Sequence, residues 1–122
     1  MNVLDVINAA VALLEPLGQP VYIADLLDTD AQGRLKLPDD HAQYTIRTVT
    51  STPRHEWGTT RLGTVRIQLN AFSTVEGHAL AMLQAAAPLL VAGKFLPGLL
   101  TSMPRDGPYT GYAQLWDRNT SP

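Results

Sequence analysis

The sequence contains no cysteine. Disulfide bracing, thiolate chemistry and any cysteine-ligated zinc or iron–sulfur centre are excluded together. Charge is scarce: 16% of the residues are Asp, Glu, Lys or Arg, against about 25% in an average soluble domain. Nine basic and eleven acidic side chains leave a net charge of −2. That excludes a strongly basic nucleic-acid binder while leaving room for a local basic face. No apolar run approaches the roughly 20 residues that cross a bilayer; the longest runs from Ala85 to Gly93. The opening Asn2-Val3-Leu4-Asp5 lacks the basic stretch of a secretory signal, so the expectation is a soluble cytoplasmic protein. What is present is ordinary apolar content, 45% of 122 residues. That makes one folded domain, 1–122, and is too short for two. Low charge with normal apolar content implies that something other than water covers part of the surface. A small domain without covalent staples gains stability by oligomerising.

Apolar periodicity predicts a helix over residues 3–17, where Val3, Val6, Ile7, Ala10, Leu13, Leu14 and Leu17 share a face and Gly18 ends it. Val21-Tyr22-Ile23 is a short strand. Residues 25–41, with Asp25, Asp28, Asp30, Gly33, Asp39 and Asp40, read as an irregular connection. A loop of that length in a compact domain calls for a functional reason, such as an assembly surface. Two strands follow, Tyr44 to Thr50 and Thr64 to Phe72. In the second, Val65, Ile67, Leu69 and Ala71 alternate with Thr64, Arg66, Gln68, Asn70 and Phe72. Between them, Ser51 to Gly63 forms a hairpin arm or long loop with Trp57 in its middle. Ser73 and Glu76 form a capping-box pattern for a second helix, Thr74 to Val91, with Pro88 as its end or kink. This helix is apolar on nearly every face, which predicts burial on more than one side, against the sheet and against the first helix or a neighbouring subunit. Gly93 to Pro108 reads as loop anchored by Phe95, Leu96, Leu99 and Leu100. Tyr109 to Trp116 is a last strand and Asp117 to Pro122 a frayed tail. The predicted fold is α+β: a two-layer sandwich with a mostly antiparallel sheet of about four strands and two helices on one face.

Chemistry-bearing motifs are few. His41, His55 and His78 have no partner at metal-site spacing, and His55-Glu56 is not followed by the second histidine of a zinc-protease helix. A calcium loop starting at Asp28 would place Gly33 sixth. It would also place Arg34 and Lys36 inside the loop and Asp39, not glutamate, at the twelfth position. No glycine-rich phosphate loop and no Gly-x-Ser-x-Gly elbow occurs. The expectation is no catalytic, metal or cofactor residues and no enzyme. Charge is unevenly distributed. Residues 1–40 hold seven acids and two bases, whereas residues 41–72 hold Arg47, Arg54, Arg61 and Arg66 against Glu56. These arginines, with Trp57, are the candidate contacts. Three readings fit them: a solvated face, an acidic patch on a neighbouring copy, or a nucleic-acid backbone.

The order of features resembles the small tail completion or tail terminator proteins, also described as head–tail joining proteins, of long-tailed phages and prophages. The resemblance is carried by the amphipathic first helix, the Val21-Tyr22 strand, the polar loop and the strand at Tyr44. It continues through Arg61-Leu62-Gly63-Thr64-Val65-Arg66-Ile67-Gln68-Leu69-Asn70-Ala71-Phe72-Ser73, the Ala-rich helix, and a closing strand with Tyr112 and Trp116. It implies a structural, non-catalytic ring, commonly of six copies, that ends the tail tube and joins it to the head. The partners would be the tail tube protein, a head completion or connector protein, and DNA passing through the ring, with no membrane. The location would be the virion tail, or the host cytoplasm during assembly. Two alternatives stand beside it: a head-side connector of the same general fold, and a small ligand-binding or hydrolytic α+β domain. A deep pocket gathering His41, His55 or His78 with an acid would favour the second.

Overall fold

The computed structural model describes residues 3–32, 36–38, 40–56 and 59–119, with all of their side chains except those of 50–56, 59–62 and 106. The element order is α1 (Val3–Leu14), a 3-10 turn (Glu15–Leu17), β1 (Val21–Ile23), a second 3-10 turn (Ala24–Leu26), β2 (Ala42–Glu56), β3 (Thr59–Ser73), α2 (His78–Ala92), β4 (Phe95–Asp106) and β5 (Tyr109–Asn119). Among the described residues the sheet has five strands in the order β1-β2-β3-β5-β4. β1 runs parallel to β2, and the other pairings are antiparallel. Both helices cover one face. The α+β two-layer reading therefore holds, with one strand more than expected.

The core sits between that face and the helices. Strand alternation supplies Tyr44, Ile46, Val65, Ile67, Leu69, Ala71 and Trp116, all essentially inaccessible to water. α1 contributes Val6, Ile7, Ala10 and Leu14, and α2 contributes Ala79, Met82, Leu83, Ala86 and Leu90. The Tyr44 hydroxyl donates to the Met82 carbonyl at 2.7 Å, tying β2 to α2 inside the core. Burial pushes the Tyr44 phenol up to about 12.

α1 ends as its sequence predicts. Pro16 falls in a 3-10 turn, and Gly18, at φ 75°, caps it in the left-handed region that glycine enters without strain. α2 starts later than predicted. Gly77 at φ 80° precedes its first residue, His78, and no side chain caps it. Ser73 serves the turn instead, accepting from the Val75 N–H at 3.1 Å. Pro88 lies within α2 without ending it. The carbonyl that Pro88 leaves unpaired belongs to Gln84, and both residues face solvent, so water can complete it. α2 also buries one stripe, not several: Ala81, Gln84, Ala85, Pro88 and Val91 are exposed in the single chain.

The largest correction is β4. Residues 95–106 form an edge strand, not a loop. Pro97 and Pro104 are tolerated there because an edge has a side that needs no donor. Irregularities at Pro97/Leu100 and Met103/Asp106 absorb the mismatch in the ladder. Phe95 is a buried anchor as expected, but Leu96, Leu99 and Leu100 are exposed. Gly107-Pro108 makes the turn into β5, which continues through Asp117 to Asn119, residues read from sequence as tail.

Candidate functional site

The helix-free face of the sheet carries two of the candidate arginines, Arg47 and Arg66. Arg47 on β2 is exposed and donates to Gln68 Oε1 at 3.0 Å. Gln68 donates on to Asn70 Oδ1 at 2.7 Å, and Asn70 donates to Thr45 Oγ1 at 3.0 Å, so a polar ladder crosses β2 and β3. Arg66 on β3 forms a two-pronged pair with Asp117 of β5, at 2.8 and 3.1 Å. The hydrogen bond to Asp117 raises the Arg66 guanidinium further above its usual range. Arg66 is thus neutralised in place, and Arg47 is left as the unpaired guanidinium of this face among the described side chains. Arg54 and Arg61 are directly opposed across the β2–β3 ladder; their side chains lie outside the description, and so does Trp57 altogether.

Sequence alternation sets Thr45 and Asn70 on the polar side of their strands, yet both are buried, as is Gln43 just before the predicted strand. The chain at 36–40 accounts for part of this. The Tyr22 hydroxyl donates to Asp40 Oδ2 at 2.7 Å, and the Tyr109 hydroxyl reaches the Asp40 carbonyl at 2.6 Å and the Pro38 carbonyl at 3.1 Å. With its amide turned to donate, Gln43 adds contacts to the Pro38 carbonyl at 3.3 Å and Asp40 Oδ2 at 3.2 Å. The bond to Asp40 raises the Tyr22 phenol above its ordinary value, because it holds the proton in place. This strap ties the end of the long loop to the sheet. Its partners are too far apart in sequence for any local pattern to reveal them.

Among the described side chains, neither His41 nor His78 comes together with an acid in a pocket; the side chain of His55 lies outside the description. Ser73 Oγ lies 2.8 Å from His78 Nδ1, a serine–histidine pair by distance. Ser73 is fully buried, however, and its oxygen already accepts from Val75, so no substrate can reach it. His41 lies 3.5 Å from Thr74 Oγ1 and meets no carboxylate among the described side chains. The depression beside His78, lined by Leu17, Gln19, Tyr44 and Met82, is about 150 Å³, below the roughly 300–1,000 Å³ of ordinary ligand pockets. A wider recess of about 420 Å³ between α1 and β1 offers Glu15 as its only ionisable lining group. No group of three metal-ligating side chains occurs among the described residues, and none of their helices is long and apolar enough to cross a membrane.

What the structure does present is periphery. Among the described residues β1 pairs with β2 at Tyr44–Ile46, and β5 pairs with β3 as far as Thr64. Beyond those rungs the β2–β3 hairpin continues as a two-stranded arm, from Pro53↔Leu62 to Glu56↔Thr59. At the far edge of the sheet, β4 exposes its leucines. No protein-family model matches this chain, and no curated protein shows significant similarity to it.

Proposed function

We propose that this chain is a structural virion protein that assembles as a ring, ends the tail tube of a long-tailed phage and joins it to the head. The observation that carries the reading is the two-stranded arm. A hairpin of two strands is marginal in water by itself, and order in it normally comes from a third strand or a packed partner. Among the described residues the third strand reaches Thr64 on one side and Ile46 on the other. The arm also sets Arg54 and Arg61 directly across from each other in register, two basic residues on one rung. Both features fit an arm that is completed by a neighbour. Low overall charge and an alanine- and proline-faced outer side of α2 fit a part that spends its working life against other protein.

The test begins with genome position, where tail tube and tape-measure genes are expected alongside. It continues with purified components. Added to polymerising tail tube protein, the chain is expected to sit at one end of each tube in electron micrographs and to stop elongation. A variant in which residues 52–64 are replaced by an Asn-Gly turn between Ser51 and Val65, which are register partners, is expected to fold but not to cap. A wild-type chain that neither marks tube ends nor changes tube length would overturn the proposal.

A further inference from the structure

We infer that copies of this chain join head to tail, with Leu26 and its flanking acids from one copy seated on the leucines of β4 in the next. The inference rests on the self-assembling reading above and names the contact that makes it. Two exposed apolar sites lie at opposite edges of one sheet. At the β1 edge, Leu26 in the 3-10 turn is 79% exposed, the most exposed large hydrophobic residue described. At the β4 edge, Leu96, Leu99 and Leu100 are 64%, 66% and 43% exposed. In register Leu96 stands opposite Asp117, on the helix-free side, and Leu100 opposite Gln114, on the helix-bearing side, with Leu99 between them at the ladder irregularity, so the leucines line the rim of the edge and not one face. Single exposed leucines are unremarkable, but three along one edge strand form an apolar rim that association would cover.

Charge says which two surfaces meet. Asp25 and Asp28 flank Leu26, both exposed and without a side-chain partner among the described residues, and with Lys36 beside them the described side chains of this patch are net acidic. β4 is flanked by bases, Lys94 before it and Arg105 near its end, both exposed. Copies placed acid to base attract, whereas β4 against β4 or Leu26 against Leu26 sets like charges together. A contact between two different patches is heterologous, and such contacts close into rings when the rotation per copy allows it. The contact is made by side chains, not by strand addition. Pro97, Pro104 and two ladder irregularities interrupt the outer backbone edge of β4, which are the devices that block edge-to-edge pairing.

Sedimentation velocity on the full chain over a wide concentration range tests this, using Leu26→Asp, Leu99→Asp and an equimolar mixture of the two. Both positions are exposed, so circular dichroism is expected to match wild type. Wild type is expected to form oligomers beyond the dimer. Each variant alone is expected to associate at least about tenfold more weakly. The mixture is expected to form a one-to-one dimer and nothing larger, because one intact Leu26 site then meets one intact β4 site. Lys94→Glu is expected to weaken association and Asp25→Lys to restore it. A wild type that oligomerises while both variants do so equally overturns this contact and leaves the ring standing. Two monomeric variants whose mixture stays monomeric overturn the head-to-tail geometry. A wild type that stays monomeric throughout overturns the ring and the contact together.

Discussion

The buried Tyr44 phenol makes stability depend on alkaline pH in a way that one substitution should abolish. Tyr44 is 1% exposed and its phenol is pushed up to about 12 by burial, against 10.0 for the free side chain. The folded state therefore holds the proton more tightly than the unfolded state. The stabilisation is fully present below pH 10 and is lost as pH rises from 10 through 12. A gap of about two pKa units at about 1.36 kcal/mol each amounts to roughly 2.7 kcal/mol, of which about 2 kcal/mol is gone by pH 12. Tyr44→Phe removes this dependence. It also removes the 2.7 Å hydrogen bond to Met82, at a cost of about 1 kcal/mol at neutral pH. The two stability curves should then cross near pH 11, on the order expected from those opposing terms. Urea unfolding followed by circular dichroism at pH 8 to 12 measures both curves. Tyr22, also raised in the fold, acts in the same direction in both proteins and cancels in the difference. A difference between wild type and Tyr44→Phe that stays constant from pH 8 to 12 would refute the linkage and the burial behind it.

Leu83 is 2% exposed beneath α2, so Leu83→Ala is expected to cost about 2–5 kcal/mol in urea unfolding; a loss under roughly 1 kcal/mol would contradict its packing. At Gly111 an added methyl would stand 2.9 and 3.0 Å from the buried Phe72 ring. Gly111→Ala is therefore expected to cost about 1–3 kcal/mol as the ring is displaced, and an unchanged urea midpoint would show that the ring can give way. Tyr109→Phe removes both hydrogen bonds to the 36–40 strap. It is expected to cost about 1 kcal/mol globally and to speed amide exchange at Asp40 and Gln43 in particular; exchange equally fast across β2 would place the effect elsewhere.

Sequence periodicity was a sound guide where one face of an element is buried and the other wet. The alternation of Val65, Ile67, Leu69 and Ala71 and the α1 stripe follow from it. It failed where burial is not set by the element itself. β4 contains Pro97, Gly98 and Pro104, which read as turns because nothing local says that the strand will lie at an edge. Thr45 and Asn70 read as the polar side of their strands because the cover at this end of the sheet includes a strap fastened by tyrosines 18 and 69 residues from Asp40 in the chain. The faces of Arg47 and Arg66 were readable. The neutralisation of Arg66 was not, since Asp117 is 51 residues away, in a segment without apolar alternation.

The strap also decides where partners can meet this protein. An antiparallel sheet with helices on one face normally offers the other face as a broad surface. Here the 36–40 chain is fastened over one end of that face, where Gln43, Thr45 and Asn70 are buried, and the Arg66–Asp117 pair occupies its own charges at the other end. Stacking a second layer on the sheet would mean breaking the hydrogen bonds of Tyr22, Gln43 and Tyr109 before any new contact formed, with each broken buried bond left unsatisfied costing about 1–3 kcal/mol. On the sheet itself, the uncommitted surface is therefore lateral: the leucine edge at β4, Leu26 beyond β1, and the two-stranded arm beyond Thr64. If copies join through the two edges, as proposed above, the contacts run sideways from copy to copy and close into a ring only where the rotation per copy allows it, unlike a face-to-face dimer.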